Sequence, residues 1–341
     1  MLVSSPEFVE NSEYGYSVAR IRALETKLVS NTEYNTLLSA PMERFHPLFV
    51  EITGIRGEKD ADVHVLLQLI EETFTEQFFM VKGLILEDEI KRLISLEYDY
   101  ELLKLIVKES LIGRVEGLSI PVEVSKRSNY SYPVLKSLLE SGKFIDTGEI
   151  LYGTYVSLRN RKELSGNSID NSCESAYYRE LFQILEEYQN PFLTGYYIRK
   201  VDIRNVLTAL RLRVRGGKRA DLRTRHLSYG SIDIGYLEQG LDLNIEGFAS
   251  RIIFSPLGTV LKGVEKRGEE TEQIVQAEKL MEEDLMRYVR ESVFVTFGVE
   301  PVLSYLWEKE MEIKNLRTIL LGKMTGVIPE EIRRYVRGLY G

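Results

Sequence analysis

The chain has 341 residues, 44% of them hydrophobic and 28% charged, enough to bury a sizeable core in one large domain or in two to three small ones. Its net charge of −8 speaks against bulk affinity for nucleic acid, without excluding a local basic patch. A single cysteine, Cys173, excludes an internal disulfide, fits a reducing compartment and reads as a structural thiol.

The first ten residues, MLVSSPEFVE, lack a basic region followed by an apolar run, so no signal peptide is expected. Ser5-Pro6 reads as a helix start, a cap residue followed by proline at the first helical position. Tyr14, Val18, Ile21, Leu24 and Leu28 then recur at steps of three and four and mark one buried stripe. Ser30 and Glu33 have capping-box spacing, which predicts a second helix through Tyr34, Leu37 and Leu38. Residues 62–80 place Leu66, Leu67, Ile70, Phe74 and Phe78 on one face. The most apolar window, 63–87, is interrupted by Glu71, Glu72 and Glu76, so no membrane span is expected and the protein reads as soluble and cytoplasmic. Residues 174–189 repeat the helical habit with Tyr177, Leu181, Ile184, Leu185 and Tyr188. Strand-like alternation is scarce, confined to short candidates at 120–124 and 293–297. Nine prolines are few for this length and favour long uninterrupted helices. The expected fold class is all-α.

Internal similarity adds a second level. Residues 190–213 (NPFLTGYYIRKVDIRNVLTALRLR) align without a gap on 300–323 (EPVLSYLWEKEMEIKNLRTILLGK). Pro191 matches Pro301, Leu193 matches Leu303, Asn205 matches Asn315 and Leu210 matches Leu320. Asp202 against Glu312 and Arg204 against Lys314 preserve charge. The stretch 99–113 (DYELLKLIVKESLIG) fits the same register more faintly, with Asp99 opposite Asp202 and Leu102 opposite Asn205. Polar linkers rich in Gly, Ser and charge follow at 114–131 and 214–231. The reading is three related helical units, 1–113, 114–217 and 218–341. Each ends on a helix with an acid near its start and bases further on, a placement that complements the helix dipole.

No catalytic motif appears. The Gly-Lys pairs at Gly142, Gly217 and Gly322 are followed by Phe, Arg and Met, so none completes a phosphate loop. His46, His64 and His226 lie far apart and lack metal-ligand spacing. Neither enzyme activity nor a cofactor is expected. Charge is more informative. Residues 211–225 carry seven bases (Arg211, Arg213, Arg215, Lys218, Arg219, Arg223, Arg225) and one acid. The Gly216-Gly217 pair breaks the helix there and predicts a cationic loop, either a partner contact or a solvated linker. Residues 265–284 carry eight acids with three bases and read as a solvated helix face.

Taken in order, these segments resemble a family. Residues 14–28 (YGYSVARIRALETKL) look like the opening helix of the C subunit of archaeal and bacterial A/V-type ATPases, a family related to the d subunit of vacuolar ATPases. Residues 298–333 resemble that family's C-terminal segment, and residues 201–216 (VDIRNVLTALRLRVRG) are similar to its D-x-x-N-x-x-x-x-L-R element. The resemblance implies three similar helical domains in a funnel-like arrangement with a pseudo-threefold repeat. It also implies a non-catalytic rotor part that caps the membrane proteolipid ring on its cytoplasmic side and receives the central shaft, made of the D and F subunits. Leu102, where the later units have Asn205 and Asn315, departs from the pattern.

For such a part, Asp202, Asn205, Glu312, Asn315 and Arg317 are either rim groups that set register with a partner or ties within each unit, and the dipole-compatible placement favours ties. The alternative function is a nucleic-acid-binding or scaffold protein using residues 199–225. That stretch lacks aromatic side chains between its bases, which disfavours nucleic acid.

Overall fold

The computed structural model describes residues 8–56, 62–112, 122–161, 163–265 and 268–338, and the described chain is all α. Helices α1 (Gly15–Glu25), α2 (Asn31–Ser39), α3 (Met42–Thr53) and α4 (Val63–Leu84) precede a first long helix, α5 (Asp88–Ile112). Next come α6 (Val122–Arg127), α7 (Tyr132–Ser141), α8 (Phe144–Thr147), α9 (Glu149–Arg159) and α10 (Gly166–Tyr188), then the second long helix, α11 (Pro191–Val214). The third, α17 (Val299–Met324), follows α12 (Arg219–Arg225), α13 (Ile234–Gly240), α14 (Ile245–Arg251), α15 (Pro256–Leu261) and α16 (Glu270–Arg290), and α18 (Pro329–Tyr335) comes last. Among the described residues, no helix is long and apolar enough to cross a membrane.

Local chemistry accounts for several boundaries. The Ser30–Glu33 capping box is formed: the Glu33 amide donates to Ser30 Oγ at 3.3 Å, and the Ser30 amide to Glu33 Oε2 at 2.7 Å. The Ser5-Pro6 start lies outside the described residues, and the first described helical residue is Ser12, in a 3-10 turn capped by Asn11. Neither strand candidate forms a strand. Residues 122–124 belong to α6 (120 and 121 lie outside the described residues), and Val293 and Phe294 sit in a 3-10 turn. Both runs are too short and unpaired to outcompete local helical turns.

The chain forms two compact units. One comprises Met1–Gln77, Pro191–His226 and Gly230–Gly341; the other comprises Phe78–Asn190 with Leu227–Tyr229. In the second unit α5 packs against α10 and α9, over a core that includes Leu93, Leu103, Leu158 and Leu181. Cys173 is fully buried there, and burial pushes its thiol pKa up to about 12. The folded protein should therefore resist iodoacetamide, since each pKa unit removes about tenfold of the reactive thiolate. Labelling followed by mass spectrometry should track unfolding, and rapid modification of the native protein would contradict this.

In the first unit α11 packs against α16, where Phe192 stacks on Tyr288, and Tyr196 of α11 stacks on Trp307 of α17. Helix α16 runs antiparallel to α11, because Glu278 meets Arg211 near one end while Tyr288 Oη donates to the Phe192 carbonyl at 2.9 Å near the other. Helix α17 turns back along α16, with Ser304 Oγ donating to the Val289 carbonyl at 3.2 Å and Arg290 pairing with Glu308. Consequently α11 and α17 run parallel.

Burial follows the internal repeat through all three long helices. Ile90, Leu193 and Leu303 are buried at equivalent positions, and so are Leu93, Tyr196 and Leu306. The same holds for Asp99, Asp202 and Glu312, for Leu103, Val206 and Leu316, and for Val107, Leu210 and Leu320. The similarity of the last two helices extends beyond 213 and 323. Gly216 (φ 65°) and Gly326 (φ 74°) end α11 and α17 in the left-handed region, where glycine carries no Cβ penalty. Each is followed by a seven-residue helix, α12 or α18, held by one buried residue, Leu222 or Ile332.

Candidate functional site

Each long helix carries a buried acid, and each acid ties down a distant piece of backbone. In α5, Asp99 accepts hydrogen bonds from Ser128 Oγ, from the Asn129 amide at 2.7 Å and from Asn129 Nδ2 at 2.7 Å. Burial raises its pKa to about 6, against the lowering effect of those bonds. In α11, Asp202 Oδ1 accepts from the Ser231 amide at 2.8 Å and the Ile232 amide at 3.0 Å, and Oδ2 accepts from Ser231 Oγ. Burial raises this pKa as well. The loops lie 29 and 30 residues downstream in both cases. In α17, Glu312 accepts the Val29 amide at 2.8 Å and pairs with Lys309. Its loop comes from the opposite end of the sequence.

The remaining repeat positions are also occupied internally. Asn205 is buried in α11, and Leu102 fills the equivalent place in α5. Asn315 Oδ1 accepts the Arg337 amide at 2.9 Å, and its Nδ2 donates to the Arg337 carbonyl at 3.0 Å. Arg317 pairs with Glu71. Beside these groups a cleft of about 90 Å³ is lined by Asn31, Tyr34, Glu308, Glu312 and Arg337. Two of its carboxylates are matched by cations, Glu308 by Arg290 and Glu312 by Lys309, and a third, Glu283, accepts the Gly338 amide at 2.9 Å.

The basic stretch differs from the expected loop. Gly216 does end α11, but the chain re-enters a helix at Arg219, with Asp221 Oδ2 accepting the Lys218 amide at 2.8 Å. Four of the seven cations have carboxylate partners: Arg211 with Glu278 (2.8 Å), Arg213 with Glu270 (2.9 Å), Arg219 with Asp242 (2.9 Å) and Arg223 with Glu238 (2.5 Å). Glu270 and Glu278 belong to the acidic run. The two charge runs, far apart in the sequence, meet along α11 and α16. Further acids of that run are also engaged, Glu282 by Lys314 and Arg337, and Asp284 by Arg287. Arg215 and Lys218 are exposed and Arg225 is half-buried, and none of the three has a carboxylate within ion-pair reach among the described residues. Nor does any group of His, Cys, Asp and Glu among the described residues have the arrangement of a metal site.

Residues 17–335 match the model of the ATP synthase (C/AC39) subunit family. The chain belongs to this family. The match takes in all three long helices, their buried acids and the whole basic stretch. Similar proteins include the A-type ATP synthase C subunit of Methanococcoides burtonii, 25% identical over 344 residues, with 95% of this chain and 94% of the relative covered. The protein of the same name from Thermococcus gammatolerans is 26% identical over 341 residues, covering 95% and 89%. That of Haloferax volcanii is 23% identical over 354 residues, covering 96% of each chain.

Proposed function

We propose that the chain is a non-catalytic central-stalk subunit of an A-type ATP synthase. It joins the membrane proteolipid ring, on its cytoplasmic side, to the central shaft of D and F subunits, and so passes torque between ion movement and ATP chemistry. The observation that carries this reading is the family match over nearly the whole chain, with A-type relatives of similar length. A torque coupler has to be stiff, and long helices with close-packed aromatic seams deform little. The proposal includes descent from three related units, expected at 1–113, 114–217 and 218–341 and assembled as a funnel. Shared burial in α5, α11 and α17 supports the repeat. The partner-facing element lies in the basic stretch of Arg211, Arg213, Arg215, Lys218, Arg219, Arg223 and Arg225, within which Arg213 is turned inward to Glu270 and the exposed cations face outward. Nucleic acid is disfavoured as the ligand, because four of these cations already have internal carboxylate partners.

The purified protein should bind the D–F shaft and the isolated ring, and should show no ATP binding or turnover of its own. Calorimetry with ATP and pull-down with purified D–F test both halves. Micromolar ATP affinity, or no binding to either partner, would overturn the reading.

A further inference from the structure

The turns that end α11 and α17 are built alike and carry opposite chemistry. After the left-handed glycine, the Gly217 amide donates back to the Leu212 carbonyl at 2.8 Å, and the Val327 amide to the Gly322 carbonyl at 2.9 Å. Both turns stand at the same end of the first unit. Arg213 of α11 pairs with Glu270 at the start of α16, and Arg334 of α18 approaches Glu272, in the same first turn of α16, at 3.8 Å. The α11 turn presents Arg215 and Lys218, both exposed and without an acid partner among the described residues. The α17 turn presents Met324, Val327 and Ile328, and Ile328 is 56% exposed. An exposed aliphatic tip at the same end of the unit as unpaired cations gains nothing from the protein's own fold.

We infer that these two turns form one docking surface, and that its partner is a protein face with an apolar pocket rimmed by carboxylates. The apolar tip enters the pocket, and Arg215 and Lys218 meet the acidic rim and set orientation. An anionic bilayer is the weaker match. Lipid-binding clusters carry about 4–8 cations, against two here, and the chain's charge of −8 opposes approach to a negative surface. The inference rests on the proposed stalk role, since it narrows the seven-residue basic element to its two exposed tip cations and joins them to an apolar site.

Full-length protein should be compared with Arg215→Glu/Lys218→Glu, with Val327→Ser/Ile328→Ser, and with Lys27→Glu as an exposed control. Probes are the D–F shaft, the detergent-solubilised ring, and vesicles of phosphatidylcholine and phosphatidylglycerol in equal parts. Both paired variants should weaken binding to the same protein probe by about fivefold or more, while Lys27→Glu leaves it unchanged. The gap between wild type and the charge variant should narrow at high salt, and that of the apolar variant should not. Thermal melts confirm folding. Unchanged affinity for both protein probes, losses on different probes, or a loss confined to the vesicles overturns the inference. If the wild type binds neither protein probe, the stalk role falls and this surface with it. If the wild type binds and the variants bind equally well, only the surface is wrong.

Discussion

A rotary complex assembled without this protein is expected to hydrolyse ATP and to move no ions. Nucleotide chemistry in such a machine needs a phosphate-binding loop, and none of the Gly-Lys pairs of this chain completes one. The catalytic head and shaft thus keep everything that binds and cleaves ATP, and turnover should stay within about threefold of the intact complex, because no transition-state contact is removed. The ring, by contrast, loses its only proposed link to the shaft, so ATP-driven ion transport should fall to the leak of the vesicles. Membranes stripped of the protein and rebuilt with or without it provide the measurement, with phosphate release and a pH-sensitive dye read on the same sample. Should hydrolysis vanish with its removal, or transport persist, the coupling role is wrong.

Replacing Asp202 by alanine should cost the first unit about 3 kcal/mol, because three hydrogen bonds to a buried carboxylate are lost together and two backbone amides are left without an acceptor. Asp202→Asn keeps an oxygen for the Ser231 and Ile232 amides and offers its amide to Ser231 Oγ, so it should cost about 1 kcal/mol. Burial makes the folded carboxyl hold its proton more tightly than the unfolded one. Its contribution is therefore fullest below the ordinary carboxylate range, and the wild type's lead over Asp202→Asn shrinks as pH rises through the raised pKa. Urea denaturation followed by circular dichroism, at acidic and neutral pH, distinguishes these cases. Equal losses for alanine and asparagine would mean that the bonds to residues 231 and 232 do not hold the unit together.

What is legible in the sequence is whatever repeats locally. The Ser30–Glu33 box and the 190–213 and 300–323 match depend on spacings within single helices, and the structure has them. Of the stripe from Tyr14 to Leu28, Tyr14, Val18 and Ile21 are buried, while Leu24 is half-buried and Leu28 lies beyond the end of α1 at Glu25. Beyond residue 213 the match is hidden, because Lys218 aligns with Ile328 and Arg225 with Tyr335. Gly216 and Gly326, followed by Leu222 and Ile332, are the signal that the backbone pattern continues. Contacts across long separations leave no such trace. Glu278 lies 67 residues from Arg211, so the acidic run reads as solvated when its acids are largely paired. The basic stretch reads as a loop because a glycine pair ends one helix, and the Asp221 cap that starts the next lacks a Ser or Thr to announce it.

The pairing of Glu312 with Val29 and of Lys323 with the Ala40 carbonyl has a consequence for biosynthesis. Helices α1 and α2 leave the ribosome long before α17, which packs on both and whose Glu312 and Lys323 are made 283 residues after Val29 and Ala40. At about 5–20 residues per second, that is a wait of about 15–60 s. During it Tyr14, Ile21, Leu37 and Leu38, all buried in the finished protein, lack the surface that buries them. The stretch Phe78–Asn190 is different: it is continuous, and only Leu227–Tyr229 of its compact unit come later. That unit can assemble on the nascent chain, whereas the other closes only after α17 has emerged.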